Sequence, residues 1–77
     1  MKNQNYTIEK IEITNQEGKL FYGIALGHNE LTDMWVTWGF KKEAEERRDV
    51  EFFWGHYYER EKDALIDYYK RIIDELE

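Results

Sequence analysis

Four segments of the chain alternate apolar residues with polar or small ones, as β-strands do. They span residues 6–14, 19–28, 33–40 and 50–57. Because side chains i and i+2 of a strand point to the same face, this alternation assigns each residue to one of two faces. Residues 15–18 connect the first two segments and end in Gly18, which suits the positive φ of a hairpin turn. The pattern therefore predicts strands that are joined as hairpins.

The last segment, residues 59–76, has the three- and four-residue spacing of a helix. Its apolar stripe consists of Leu65, Tyr68, Tyr69, Ile72, Ile73 and Leu76. A stripe of this kind packs on one face of a sheet. With 77 residues, the chain is predicted to form a single domain, residues 1–77. The predicted fold is α+β: a four-stranded, mainly antiparallel sheet with one C-terminal helix packed on one face (ββββα).

The first predicted strand changes parity along its length. Tyr6 and Ile8 are even-numbered, whereas Ile11 and Ile13 are odd-numbered. All four side chains can reach one face only if the strand bulges near residues 9–10. The alternative is a strand that is covered on both sides.

Apolar residues occupy both faces of the predicted sheet. The face expected beneath the helix carries Leu20, Tyr22, Ile24, Leu26, Met34, Val36, Trp38, Phe40, Phe52 and Trp54. The reverse face carries the aromatics Phe21, Trp35, Phe53 and Tyr57 among Gly23, Ala25, Gly27, Gly39 and Gly55. Since one helix covers one face, we expect the reverse face to be open to solvent or to a partner.

Three interpretations of the reverse face follow. In the first, its aromatic rings lie across glycines of neighbouring strands and strengthen their pairing. In the second, Trp35, Phe53 and Tyr57 form a flat binding platform, because exposed aromatic patches often mark interfaces. In the third, the two faces are inverted and the glycine side packs closely against the helix.

The charge of the chain bears on its partners. Seventeen acidic and eleven basic residues give a net charge of −6, which disfavours direct binding to nucleic acid and suits a basic protein partner. Residues 41–49 are nearly all charged and favour a short helical turn by propensity, with a hairpin tip as the alternative. A solvated tip is one interpretation of this run. As a partner-binding finger, it would use Glu43, Glu45 and Glu46.

Membrane insertion and catalysis are both disfavoured by the sequence. The longest apolar run, residues 20–27, is far shorter than the roughly 20 residues of a spanning helix, so we expect a cytoplasmic protein without membrane contact. The chain has no serine and no cysteine, which removes the common nucleophiles. His28 and His56 are expected at one end of the sheet with Asp33 between them, about 9–10 Å apart across two strand spacings. We therefore predict no catalytic residues, no metal and no cofactor.

Three short motifs carry a resemblance to known proteins. They are Trp35-Val36-Thr37-Trp38, Phe53-Trp54-Gly55-His56-Tyr57 and Asp63-Ala64-Leu65. Over residues 35–69 the chain resembles small proteins of phages and plasmids in low-GC Gram-positive bacteria. The resemblance implies a mobile-element origin and no mechanism. Proteins of that origin are often accessories in the contest between element and host, including inhibitors of restriction or CRISPR nucleases.

The sequence therefore favours a non-enzymatic protein-binding module, with inhibition of a host nucleic-acid enzyme as its expected role. The residues predicted to bind are Phe21, Trp35, Phe53, Tyr57, Glu43, Glu45 and Glu46. One alternative is a homo-oligomeric structural subunit, such as a homodimer, that associates through the same face or through the edge of the first strand. Another is a small-molecule or nucleotide binder in which rings stack on Trp35 and Tyr57.

Overall fold

The computed structural model describes residues 2–44 and 50–77. These residues form β1 (Lys2–Asn3), β2 (Tyr6–Glu17), β3 (Leu20–Asn29), β4 (Met34–Glu43), β5 (Glu51–Tyr58) and α1 (Glu61–Leu76). The strands form one curled antiparallel sheet in the order β1-β2-β3-β4-β5, and α1 packs on it. The predicted α+β class is confirmed. Among the described residues the sheet has five strands rather than four, because Lys2 and Asn3 pair with the start of β2.

The turn that the sequence predicts in the first hairpin is present, and of the two alternatives for the first strand the structure shows the bulge. Gly18 has φ of 61°. The register of β2 against β3 shifts between Ile8 and Lys10, which brings Tyr6 and Ile8 onto the same face as Ile11. A second shift lies further along β2, before residue 15. The first strand therefore aims its apolar side chains at one face.

Strand β4 runs further than the sequence predicts. Residues 41–43 continue the strand instead of forming a helical turn, and Lys41 pairs with Tyr22 on one side and Glu51 on the other. Pairing on both sides supplies backbone hydrogen bonds that override the helical propensity of this charged stretch. The rest of the predicted turn, residues 45–49, lies outside the described residues.

The face beneath α1 combines residues that the sequence analysis had separated. Asn29 pairs with Met34 across the turn, so even-numbered residues of β3 lie beside odd-numbered residues of β4. Ile24 and Leu26 therefore share the helix-covered face with Trp35. The predicted face assignment is wrong for β4, because the four-residue turn, residues 30–33, reverses the parity between the two strands.

The buried and half-buried residues of the helix-covered face form one cluster. Its members are Ile24, Leu26, Trp35, Tyr58, Ala64, Leu65, Tyr68 and Ile72. On the opposite face, a second cluster contains Ala25, Val36, Trp38 and Phe40, all buried. The molecule thus has an apolar core on each side of one sheet.

The second core is closed by the curvature of the sheet. Tyr6 of β2 reaches across to Trp38, with ring centroids 5.6 Å apart, and to Tyr57 of β5, at 6.1 Å. Phe52 lies 5.1 Å from Trp38 on the same side. We call this the concave face. Large rings each bury about 150–250 Å², so a few of them fill the space that a second helix would otherwise cover.

Aromatic rings lie across glycines, although two of them, Trp38 and Phe40, were predicted beneath the helix and not among the rings of the first interpretation. A Cβ added to Gly27 would lie 2.8 Å from the ring of Trp38, and one added to Gly39 would lie 2.5 Å from the ring of Phe53. Phe40 lies in the same way over Gly23. These glycines leave the space in which the neighbouring rings pack.

Candidate protein-interaction surface

The predicted binding residues do not form one platform. Trp35 is half-buried near α1 and stacks on His28, with centroids 4.1 Å apart and planes 20° apart. Phe53 is half-buried, lies against Gly39 and meets Trp54 edge-on at 5.0 Å. Tyr57 pairs with a residue of the concave face. The prediction that Trp35, Phe53 and Tyr57 share an open face is therefore wrong, because Trp35 and Phe53 are on the helix side.

The remaining predicted binding residues lie elsewhere. Phe21 is on the concave side, where with Ile11, Ile13 and Phe40 it lines a cavity of about 340 Å³. Glu43 is exposed at the end of β4. The predicted contacts Glu45 and Glu46 lie outside the described residues. The five of the predicted binding residues that the structure describes do not share one surface.

Helix α1 carries a second apolar stripe that the sheet does not cover. Four residues at intervals of three, four and three positions form it, and we call it the outer stripe: Ile66, Tyr69, Ile73 and Leu76. Their exposed fractions are 58%, 50%, 57% and 64%. At about 100° per residue, the apolar arc of the helix spans roughly 200°, about twice the width that one covered face requires. The predicted single stripe is thus divided between a sheet-facing part and an exposed part.

The outer stripe borders strand β2. A groove of about 430 Å³ runs between β2 and α1 and is lined by Lys10, Ile11, Glu12, Tyr68, Tyr69 and Ile72. Burial, followed by the charge of Glu12 and by Tyr69, raises the pKa of Tyr68 to about 12. The groove is thus lined by the charged Lys10 and Glu12 and by aromatic and aliphatic side chains.

The opposite flank of α1 is held by a polar cluster. Asp67 Oδ2 accepts a hydrogen bond from the buried hydroxyl of Thr37 at 2.6 Å and lies 3.0 Å from His56 Nδ1. Arg71 donates to the backbone carbonyl oxygens of Thr37 and Trp54, each at 3.0 Å. Burial by itself raises the pKa of Asp67, but hydrogen bonds from Thr37, His56 and Tyr58 outweigh it, so the pKa lies below its ordinary value.

The chemistry of this cluster is that of an anchor. A carboxylate beside an imidazole can serve as a general base, but the Thr37 hydroxyl is fully buried and donates to the same carboxylate. The Thr37 hydroxyl is therefore out of reach of a substrate. The cluster instead fixes α1 to β4 and to the irregular part of β5.

The two edges of the sheet differ in regularity. At one edge, β5 has a register shift against β4, and Trp54 has φ of 53° with 75% of its surface exposed. At the other edge, β1 pairs only with Tyr6 and Thr7 of β2. In the described part of the chain, no other strand pairs with the outer side of β2. Its residues Ile11 and Ile13 are 44% and 56% exposed.

The two histidines are separated by their partners. His28 Nε2 lies 2.7 Å from Asp33 Oδ1, whereas His56 is held by Asp67 on the side of α1. Within residues 2–44 and 50–77, no group of three or more His, Cys, Asp or Glu side chains is placed to bind a metal ion. No helix in the same residues is long and apolar enough to cross a membrane.

Sequence reasoning missed the residues that this surface depends on. Ile66 was left out of the helical stripe, although its spacing to Tyr69, Ile73 and Leu76 repeats the three–four pattern of a packing seam. Ile11 and Ile13 were considered only as part of a strand. The signal was available in the width of the apolar arc, which exceeds what one face of the sheet can cover.

Comparisons with known proteins add no assignment. No protein family model, no curated protein and no solved structure matches the chain. The function proposed below therefore depends on the exposed residues of α1 and on the edge of β2.

Proposed function

We propose that this chain is a non-enzymatic protein-binding module. Its binding surface is the flank formed by the outer stripe of α1 and the outer edge of β2, which we call the β2–α1 flank. The observation that carries the proposal is the exposure of four apolar residues in register on one side of a helix. Full burial of one such side chain contributes about 1.5–3 kcal/mol, so a partner that covers the stripe gains substantial binding free energy.

The flank suits two known modes of protein recognition. Helices bind through apolar residues spaced at three and four positions, and sheet edges bind by adding a strand. Here the helical stripe and the strand edge are adjacent, and Tyr69 lines the groove between them. A charged floor beside an apolar wall favours a partner with both apolar and charged groups, which is typical of protein interfaces.

The narrower role that we propose is a cytoplasmic mobile-element accessory that inhibits a host nucleic-acid enzyme. It is supported by the net charge of −6 and by the resemblance over residues 35–69. Part of the acidic surface is engaged within the chain, because Asp63 bonds Arg60 and Asp67 bonds Thr37. The carboxylates that we assign to a basic partner are Glu43 and Glu75, which are exposed.

A pair of variants that change the charge equally tests the binding surface. Ile73→Lys adds one positive charge within the outer stripe, and Asp74→Asn removes one negative charge next to it. We expect Ile73→Lys to reduce recovery of bound protein at least tenfold in an affinity capture from host lysate, since burying an unpaired ammonium is costly. We expect Asp74→Asn to recover the same protein as the parent chain.

Thermal denaturation of the same proteins supplies the control. An exposed position changes the free energy of unfolding by about 0.5 kcal/mol or less, so both variants should melt close to the parent. If Ile73→Lys unfolds the domain, the stripe belongs to the core and the proposal is wrong. Equal recovery by Ile73→Lys and the parent also contradicts it.

A further inference from the structure

We infer that the partner of the β2–α1 flank is a second copy of this chain, paired antiparallel through β2 about a two-fold axis at Ile11. The inference rests on the proposed function for the choice of surface. It assigns the flank to a second copy and makes the dimer the form that binds the host enzyme through its exposed carboxylates, so a variant that loses the stripe loses both interactions. The inference is carried by the self-complementary charge pattern of residues 10–12 and by the position of the outer stripe on the same side of the molecule.

The usable edge of β2 lies between its two irregularities. The register shifts between Ile8 and Lys10 and again between Ile13 and Asn15. Lys10 to Ile13 is therefore a regular stretch, and its backbone groups alternate between β3 and the outer side. Exposed edges of this kind are templates for another strand.

An antiparallel two-fold pairing centred on Ile11 gives each of residues 10–12 a suitable neighbour, and Ile13 then lies opposite the bulge of the second copy. Lys10 then lies opposite Glu12 of the second copy, and Glu12 lies opposite its Lys10. Ile11 faces Ile11 of the second copy on the concave side of the sheet. Directly opposed side chains have Cβ atoms about 4.5–5.5 Å apart, close enough for both kinds of pair to interact.

The charge pattern selects this register over its neighbours. A shift of the two-fold axis to residue 10 places Lys10 opposite Lys10, and a shift to residue 12 places Glu12 opposite Glu12. Like charges directly across a sheet are destabilising. A shift to a position between two residues sets apolar side chains against charged ones on opposite faces. The centre at Ile11 is the arrangement without such conflicts.

A short strand ladder alone is too small for a stable dimer. Specific interfaces bury roughly 1,200–2,000 Å² in total. The outer stripe supplies the additional area, because a two-fold axis normal to the sheet keeps both copies of α1 on the same face. With strands about 4.8 Å apart, β3 of one copy lies about 14 Å from β3 of the other.

The helices of the two copies then come within reach of each other. Helix α1 lies mainly over β3, and a helix with its side chains is about 10–12 Å across. Tyr69 of the outer stripe lines the groove beside β2 in each copy, so it faces the gap between the two helices and is placed to fill it. The pairing also closes the exposed edge, so it ends at two copies.

Single charge reversals and their mixture test the pairing and its register together. Lys10→Glu gives Glu opposite Glu at both pairs, and Glu12→Lys gives Lys opposite Lys. We expect each variant alone to dimerise at least about tenfold more weakly than the parent. When the two variants are mixed, both pairs become Lys–Glu again, and we expect a heterodimer with parent-like affinity. Sedimentation velocity over a concentration series measures all of these species.

The double variant Lys10→Glu/Glu12→Lys provides the matched control. It exchanges the two charges on each chain, restores opposite charges across the axis and should dimerise like the parent. Circular dichroism of each single variant checks that the exposed positions leave the fold intact. A parent chain that is monomeric at every concentration overturns the inference. A dimer that neither reversal weakens overturns it as well.

The result also separates this inference from the proposed function. If the parent is monomeric while Ile73→Lys still loses a captured protein, the second-copy partner is wrong and the binding surface stands. If the parent dimerises with the predicted charge dependence but Ile73→Lys leaves both dimer and capture unchanged, the strand pairing through β2 is correct and the outer stripe takes no part in it. The proposed binding surface is then wrong.

Discussion

The two faces of the sheet are buried by different means. On the helix-covered face, α1 packs over Ile24 and Leu26 and is held by hydrogen bonds that Asp67 accepts and Arg71 donates. On the concave face, no second helix is present in residues 2–44 and 50–77, and Trp38 is nevertheless only 3% exposed. On the concave face, the curvature of the sheet and large aromatic rings exclude solvent, as the packed helix does on the other face.

The difference shows that counting helices is not enough to decide which face of a small sheet is open. A strand bulge that brings Tyr6 across to Tyr57 can seal a face with the sheet's own side chains, because bulges increase local twist and bend. The unpartnered apolar surface moves instead to the outside of the helix. The substitution with the largest expected effect on stability is therefore that of Trp38, at the centre of the concave face.

Removal of the Trp38 ring should lower the free energy of unfolding of the domain more than any other change proposed here. Trp38→Ala leaves a cavity in a well-packed aromatic cluster, which typically costs about 3–5 kcal/mol. Trp54→Ala is the matched control, because Trp54 is 75% exposed and its loss should change the free energy of unfolding by about 0.5 kcal/mol. Urea denaturation measures both values. Similar losses for the two variants would mean that the concave face is not a core.

The polar anchor of the other face should have a smaller effect that depends on pH. Asp67→Asn disturbs hydrogen bonds from Thr37 and His56 and should cost about 1–3 kcal/mol at neutral pH, whereas Asp74→Asn should cost little. Because the folded-state pKa of Asp67 is lowered from 3.8, its contribution is fully present above pH 3.8. It is lost as the pH falls through the lower folded value. Denaturation at several acidic pH values should show the parent and Asp67→Asn converging, and a constant difference would contradict this.

The pKa of Tyr68 reports on burial at a single position of the helix-covered face. Its pKa is raised from 10.0 to about 12 by burial, so the folded chain holds the phenol proton more tightly than the unfolded chain. Stability should therefore decline as the pH rises from about 10 to about 12. Burial also raises the pKa of Tyr6 and Tyr58, so absorbance titration should show several late phenol ionisations, of which Tyr68→Phe removes one. An unchanged set of late steps in Tyr68→Phe would place that ionisation elsewhere.

Alternation and helical spacing predict strands β2 to β5 and helix α1. The parity change between Ile8 and Ile11 leaves a bulge or coverage on both sides, and the register shift in β2 decides for the bulge. The two-residue strand β1 could not be predicted, because Lys2 and Asn3 carry no apolar alternation. The length of β4 was underestimated because its charged end is stabilised by strand pairing rather than by propensity: Lys41 to Glu43 pair with β3, and Lys41 pairs with β5 as well.

The length of the turn between β3 and β4 determines which residues share a face. A four-residue turn between Asn29 and Met34 pairs even-numbered residues of β3 with odd-numbered residues of β4, so Trp35 shares a face with Leu26. The positive φ of Trp54 could not be read from the sequence, because a bulge at a tryptophan leaves no compositional mark. The outer stripe was readable in the positions of Ile66 and Ile73, but only by asking how much of the helix one face can cover.

The glycines beneath the rings also restrict how the strands can align during folding. Trp38 lies over Gly27 and Phe40 over Gly23, with Ala25 between these two glycines. A slip of β4 by two residues keeps every side chain on its own face, yet it moves the Phe40 ring onto the methyl group of Ala25 or onto Phe21. The spacing of small and large residues thus penalises the misaligned hairpins that hydrophobic patterning alone would tolerate.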